Sequence, residues 1–261
     1  MILRRVIQHV KEQEWTAIWI DLVIVVVGVF IGIQVANWNE SRLEAKRSHG
    51  FLERISSDLE KELASIDKSL DYVGHSLANG EAALAWAEDG KLTEGSAWKT
   101  VLAFYQASRI QPYSPVDTTY QEMRSDGELG LVRDIGLRAA LTEYYVSGTL
   151  ARADYILKLN PLYRGHVRGL TPFRITRYIS SECFDLAAVS TKPCAAPVDE
   201  ATSREILRRY TDDPSLQIEL TYWLDSAYLQ LGILRKFRAD CVKLKQRIDA
   251  KIGGLPKESS P

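Results

Sequence analysis

The sequence is poor in the residues and motifs on which most enzymes and metal proteins depend. It has three cysteines and four histidines, the latter being His9, His49, His75 and His166. The histidines show no H-x-x-x-H or H-E-x-x-H spacing, and no two cysteines have zinc-finger spacing. G-x-S-x-G, P-loop and G-x-G-x-x-G motifs are also missing. We therefore expect no metal, no cofactor and no enzymatic activity, although residues distant in sequence can still form a site in the fold.

The chain also lacks an excess of charge of either sign. Its 33 basic and 34 acidic residues give a formal net charge of -1. This balance gives no electrostatic support for a nucleic-acid partner. The sequence has no internal repeat, no low-complexity tract and no convincing strand pattern, so we predict an all-α fold.

One long apolar segment stands out against this polar background. It runs from Trp15 to Trp38, and in a helix that rises about 1.5 Å per residue these tryptophans lie about 35 Å apart. That length matches the hydrocarbon core of a bilayer with aromatic residues at both interfaces. We predict that residues 15–38 form one transmembrane helix, which makes the lipid bilayer a partner of the chain.

Two other interpretations of this segment fit the sequence less well. A cleaved signal peptide needs small residues at its cleavage site, but the apolar run continues into Asn37 and Glu40 without an A-x-A pattern. A buried core helix of a soluble protein is the other alternative, but Leu22 to Ile33 is apolar on all faces, unlike the one-sided stripe of a surface helix.

The regions on either side of the span predict a topology. Residues 1–14 have the pattern of an amphipathic helix lying along lipid headgroups. Basic residues occur on both sides of the span, so charge does not set the orientation, but a tail of about 15 residues is normally retained in the cytoplasm. We expect a bacterial inner-membrane protein with a cytoplasmic N-terminus, a periplasmic helical domain at residues 39–254 and a disordered tail at 255–261.

The cysteines agree with an extracytoplasmic domain. Cys183 and Cys194 flank a short stretch, and in an oxidising compartment they can close a disulfide-bonded loop that stabilises the domain by about 3 kcal/mol. Two free thiols in a loop are the alternative. Cys241 lies at helical spacing from Leu234 and Leu244, so we expect it to be a core residue.

Apolar residues beyond the span repeat every three or four positions in two long stretches, Phe51 to Leu77 and Ser215 to Ile252. We predict two long coiled-coil-like helices that pack antiparallel within a helical bundle. Asn79-Gly80 is a predicted C-cap of the first. Ser114-Pro115 and Asp213-Pro214 are each a predicted N-cap with proline at the first helical position.

Two segments carry a resemblance to a known group of proteins. These are DLVIVVVGVFIGIQVANWNESR, from Asp21, and TTYQEMRSDGELGLVRDIGLRAALTEYY, from Thr118 to Tyr145. They resemble a family of uncharacterised bacterial single-pass membrane proteins whose anchor helix ends in Asn-Trp-Asn-Glu, here Asn37 to Glu40. Asp21 departs from the longer glutamate of that family but keeps the acid. The resemblance implies an anchored helical domain and no particular activity.

Small and polar residues in the anchor suggest how chains associate. Gly28, Gly32 and Ala36 recur every four residues, which allows two transmembrane helices to approach closely. Asp21 lies seven residues before Gly28, on nearly the same face, and a carboxylate at that depth needs water or a partner. It is either a hydrated interfacial residue or, with Gln34, part of a polar ring or pore. The predicted boundary residues are Trp15, Trp38, Asn37, Asn39 and Glu40.

A group of aromatic and polar residues is the most ligand-like feature of the remaining chain, although helix packing explains it equally well. It comprises Tyr113, Thr118, Thr119, Tyr120, Glu122, Arg124, Tyr144 and Tyr145.

Together these features predict a single-pass membrane-anchored homo-oligomer that acts as an assembly or interaction module, with a second membrane protein as a further partner. The alternatives are an extracytoplasmic ligand-sensing domain that signals through a partner, and an ion-conducting oligomer formed by the anchor helices.

Overall fold

The computed structural model describes residues 15–111, 113–185 and 190–254. The predicted amphipathic segment 1–14 and the predicted tail 255–261 lie outside this part of the chain. The described residues are almost entirely helical, so the all-α prediction is confirmed. By internal contacts the chain divides into two compact units, Met1–Phe51 and Leu52–Pro261, and each is described by itself below.

The helices are labelled in chain order. They are α1 (Trp15–Asp89), α2 (Ala97–Ala107), α3 (Thr118–Ser125), α4 (Ile135–Thr142), α5 (Thr149–Leu157), α6 (Leu162–Leu170), α7 (Phe173–Glu182), α8 (Glu200–Thr211) and α9 (Pro214–Gly253). Short 3₁₀ turns cover Thr93–Gly95 and Glu128–Leu131, and a π turn covers Glu143–Ser147. Between α7 and α8 lies a short antiparallel pair, β1 (Phe184–Asp185) and β2 (Ser190–Thr191).

The first unit contains the early part of α1, whose apolar side chains lack any cover in the described chain. Val25 and Phe30 are each 62% exposed, and the neighbouring apolar side chains are similarly open. The most apolar window has a mean hydropathy of 2.4, with none of its residues buried. Among the described helices, this is one that is long and apolar enough to cross a membrane.

In the second unit, the later part of α1 packs against α9. Ile55 and Leu59 are fully buried, and the Cys241 thiol lies 3.5 Å from the backbone carbonyl of Leu59. Ser56 donates to Asp249 at 2.6 Å, and Arg238 donates to Asp67 at 2.6 Å. Residue numbers fall along α9 as they rise along α1, which confirms the predicted antiparallel pairing.

The prediction that a helix ends at Asn79-Gly80 is wrong, because α1 continues to Asp89. A Cβ at position 80 would lie 2.2 Å from Cδ2 of Leu224, so the glycine lets α9 approach α1 closely. The glycine therefore serves helix packing, and the backbone there remains helical.

The predicted N-cap at Ser114-Pro115 is also wrong, since α3 begins at Thr118. The preceding residues are held in a non-helical conformation by Glu62 of α1, which accepts hydrogen bonds from the Tyr113 hydroxyl and, at 2.6 Å, from the backbone N–H of Val116. By contrast, the predicted cap before α9 is confirmed: the Asp213 carboxylate accepts from the N–H of Ser215 at 3.1 Å, and Pro214 is the first helical residue.

Candidate functional site

The predicted oligomerisation residues lie along one side of the exposed part of α1. Gly28, Gly32 and Ala36 are spaced one turn apart and are all exposed. A Cβ placed on either glycine would meet no atom within 4 Å, so the described chain leaves this strip open. Asp21 and Gln34 are exposed on the same helix.

The predicted membrane-boundary residues occupy both ends of this apolar stretch. Trp38 is 66% exposed, and Trp19, one turn after the predicted boundary residue Trp15, is 62% exposed. Trp15 is the first residue of α1, and its side chain is not among those that the structure describes. The three remaining boundary residues are exposed, namely Asn37, Asn39 and Glu40.

The ligand-like aromatic and polar group is used largely for packing against α1. Thr119 donates to Asp58 from its hydroxyl at 2.6 Å and from its backbone N–H at 3.2 Å. The rings of Tyr120 and Tyr145 stack with centroids 4.4 Å apart. Other members are held by side chains of α1: Tyr113 bonds Glu62, as described above, and Glu122 forms a two-point ion pair with Arg54.

Burial makes Glu62 and Asp58 unusual carboxylates. They are 1% and 8% exposed, respectively. Burial raises the pKa of Glu62, and the hydrogen bonds from Tyr113 and Val116 only partly oppose this effect. Their partners are structural groups of the same domain, so the geometry assigns them to holding the segment before α3 in place.

The structure joins Cys183 and Cys194 in a disulfide that closes the segment containing β1 and β2. Cys241 is a free, buried thiol. Burial raises its pKa to about 11, so it is protonated and unreactive at neutral pH.

In the described part of the chain, no group of three or more His, Cys, Asp or Glu side chains is arranged to hold a metal ion. His166 lies between two carboxylates. Its Nδ1 lies 3.0 Å from Glu219, and its Nε2 lies 2.9 Å from Asp213. Partial burial opposes its positive charge, but the two carboxylates outweigh this effect and raise the pKa of His166.

The second unit contains a cavity of about 400 Å³ that is lined by polar side chains. The sequence did not predict this cavity. Its walls come from the later part of α1, the end of α2 and β2. Two cationic side chains, Lys68 and Arg109, and one carboxylate, Asp71, line it together with His75. The rest of the wall is mainly amide and hydroxyl groups.

Three guanidinium groups lie near Tyr72 in the wall of this cavity, and two of them bond Ser108. Arg164 donates to the backbone carbonyl of Ser108 at 2.9 Å, and Nε of Arg168 donates to its hydroxyl at 3.1 Å. Arg109 donates from Nε to the side-chain oxygen of Gln106. Burial lowers the pKa of Arg109, and the nearby positive charge of Arg168 lowers it further.

The sequence indicates only part of this arginine cluster. Arg164 and Arg168 are one helical turn apart, so they share a face of α6. Arg109 follows a helix that is distant in sequence, and only the fold shows that the three arginines converge.

The sequence pattern of DUF6090, a family of unknown function, matches residues 21–160. The matched range includes the exposed apolar part of α1 and the cavity residues from Lys68 to Gln111. The match agrees with the resemblance to an uncharacterised family. No curated protein and no solved structure matches the chain.

Proposed function

Since the chain belongs to the DUF6090 family, we propose that this member is a single-pass membrane-anchored module whose anchor helix assembles with copies of itself. The observation that carries the proposal is the exposed apolar stretch of α1, whose most apolar window has a mean hydropathy of 2.4 and no buried residue. Leaving about 20 such residues in water is unfavourable, since exposed apolar area costs about 25 cal/mol per Å². A bilayer removes this cost, and tryptophans near both ends suit its interfaces.

The proposed location is the bacterial inner membrane, with the second unit on the periplasmic side. The Cys183–Cys194 disulfide supports this orientation, because such bonds persist in oxidising compartments. Counting thiols in isolated membranes tests it. Without reductant, a denatured chain should react with one maleimide, at Cys241, and with three if the second unit is cytoplasmic.

The strip formed by Gly28, Gly32 and Ala36 supports assembly. In lipid, the hydrophobic effect does not drive helices together, because lipid tails are as apolar as the side chains. Transmembrane helices therefore associate through close packing. A strip of small residues permits this packing, and the open space around both glycines leaves it available to a second copy.

Light scattering of the detergent-solubilised full chain tests the assembly proposal. We expect a particle with more than one chain, and a lower mass when Gly28→Leu and Gly32→Leu are combined. Val27→Leu with Ile31→Leu is the matched control on another face of the helix. A monomeric wild-type particle, or an unchanged mass in the glycine variant, would refute this interface.

Ion conduction is the second candidate, and Asp21 is the residue that favours it. Its carboxylate is exposed among apolar side chains, seven residues before Gly28 and therefore on a similar face. Conductance of the reconstituted chain, abolished by Asp21→Ala and retained by Asp71→Ala, would select this candidate over a non-conducting assembly.

A further inference from the structure

The polar cavity of the second unit has the dimensions of a small-molecule site. Its volume of about 400 Å³ falls in the usual range for such pockets, which is about 300–1,000 Å³. Its walls offer neutral hydrogen-bonding groups, among them Ser76, Asn79 and Gln111, for the uncharged part of a ligand.

Arg109 is the best-placed charged group in this wall. Its Cζ lies 3.7 Å from the centre of the Phe184 ring, and its Nε bonds Gln106, so the guanidinium is fixed in orientation. One of its terminal nitrogens, Nη2, is buried yet has no hydrogen-bond partner in the described structure. An unsatisfied buried donor is unfavourable, and more so when it is charged.

Arg109 has no carboxylate counter-ion in the described structure. Within the described residues, no carboxylate oxygen lies within 4.0 Å of Arg109, Arg164 or Arg168. The one carboxylate in the cavity wall, Asp71, is exposed and lies about one helical turn from both Lys68 and His75 on α1. A chain with nearly balanced charge therefore concentrates positive charge beside this cavity.

We propose that the cavity binds a small molecule through a phosphate group, which accepts hydrogen bonds from the guanidinium of Arg109. An oxyanion bound there supplies the counter-charge that no described carboxylate provides, and charge-assisted bonds of this kind are about twice as strong as neutral ones. Arg164 and Arg168 are positioning residues that hold Ser108 and add to the local positive potential. This binding role goes beyond the proposed anchoring and assembly and does not depend on them.

Thermal unfolding of the full chain in a neutral detergent, with inorganic phosphate added at constant ionic strength, tests the proposal. We expect the Tm to rise saturably with phosphate, as binding to the folded state requires. Arg109→Gln should weaken the response about tenfold or more, whereas Arg235→Gln, which removes the same charge from an exposed site on α9, should leave it unchanged.

A second variant keeps the test decisive if Arg109→Gln fails to fold. Gln106→Glu preserves the acceptor for Nε and places a carboxylate against Arg109, so it should raise the Tm without phosphate and abolish the response. Gln246→Glu, at an exposed position of α9, is its charge-matched control. A phosphate response that survives Gln106→Glu would overturn the proposal.

Nanodiscs distinguish a dissolved phosphate compound from a lipid headgroup. If the phosphate belongs to a lipid, replacing phosphatidylcholine by phosphatidylglycerol should raise the Tm in an Arg109-dependent manner, and inorganic phosphate should add nothing. If it is dissolved, phosphate should act equally in both lipids. Absence of any Arg109-dependent response in detergent and in both nanodiscs would contradict the site.

Discussion

Helix α1 contains two apolar surfaces that differ in how their residues are distributed. From Trp19 to Trp38, apolar side chains cover every face and are all open in the described structure. From Leu52 to Leu77 they recur every three or four residues and are buried or half-buried, with Ile55, Leu59 and Ile66 at 0% exposure. The same helix thus contains one stretch with the apolar pattern of a membrane span and one with the pattern of a helix that packs on protein, and the arrangement of apolar residues around the axis distinguishes the two.

The largest effect should come from charging the apolar stretch. Val25→Lys with Val26→Lys should release the chain from membranes, because each lysine near a bilayer centre costs about 3 kcal/mol. Sedimentation after carbonate extraction measures this. The control is Ser57→Lys with Ala64→Lys, at exposed positions of the later stretch. If both double variants were released from membranes to the same extent, the two stretches of α1 would not differ in the way proposed.

A cavity in the buried stretch should have the next largest effect. Leu59→Ala should lower the free energy of unfolding of the second unit by about 2–5 kcal/mol, because it removes buried apolar groups and leaves an unfilled cavity. Val26→Ala should leave that free energy unchanged. Urea unfolding in detergent checks both, and equal costs for the two substitutions would show that Val26 is buried as well.

Removing Glu62 tests the polar side of the same stretch. Glu62→Ala leaves the Tyr113 hydroxyl and the Val116 N–H without partners, at about 1–3 kcal/mol for each, while removing a carboxylate that burial disfavours. Glu60→Ala, at an exposed position two residues earlier, should have little effect.

The pH dependence of this variant sharpens the test. Burial raises the folded-state pKa of Glu62, so its contribution to stability is fully present below the unfolded pKa and is lost as pH rises through the folded value. The cost of Glu62→Ala should therefore be largest in mildly acidic solution and decrease toward neutral pH. A cost that grows with pH would show that the carboxylate is stabilised as an anion.

The apolar stretch and the antiparallel seam were predictable because both depend on local periodicity. Asp213-Pro214 was predictable because capping is a contact between neighbours in sequence. The predicted caps at Ser114-Pro115 and Asn79-Gly80 were wrong for the opposite reason. Their conformations are set by Glu62 and Leu224, which lie far away in the chain, and such tertiary contacts override local propensity.

The candidate cavity was not predictable for a related reason. Arg109 follows α2 and Arg168 lies in α6, and neither spacing nor composition indicates that the two lie near each other in the fold. The anchor residues Gly28 and Gly32 were found readily because their pattern is contained within one helix.

The smallest effect should come from His166, in α6. Its pKa is raised, so its stabilising charge is fully present below the unfolded pKa of about 6.5 and is lost as pH rises through the folded value. His166→Gln should lower stability by at most about 1 kcal/mol at acidic pH, and less at alkaline pH. His75→Gln is the control, and a loss that is independent of pH would assign His166 a packing role.

The most direct test of the contrast within α1 is a nitroxide label placed on the full chain in nanodiscs, at Val29→Cys or at Ser57→Cys, with Cys241→Ser in both. The account predicts that the label at position 29 collides more with lipid-dissolved oxygen than with a water-soluble nickel chelate, and that the label at position 57 shows the reverse. Equal access of the nickel chelate to both positions would contradict it.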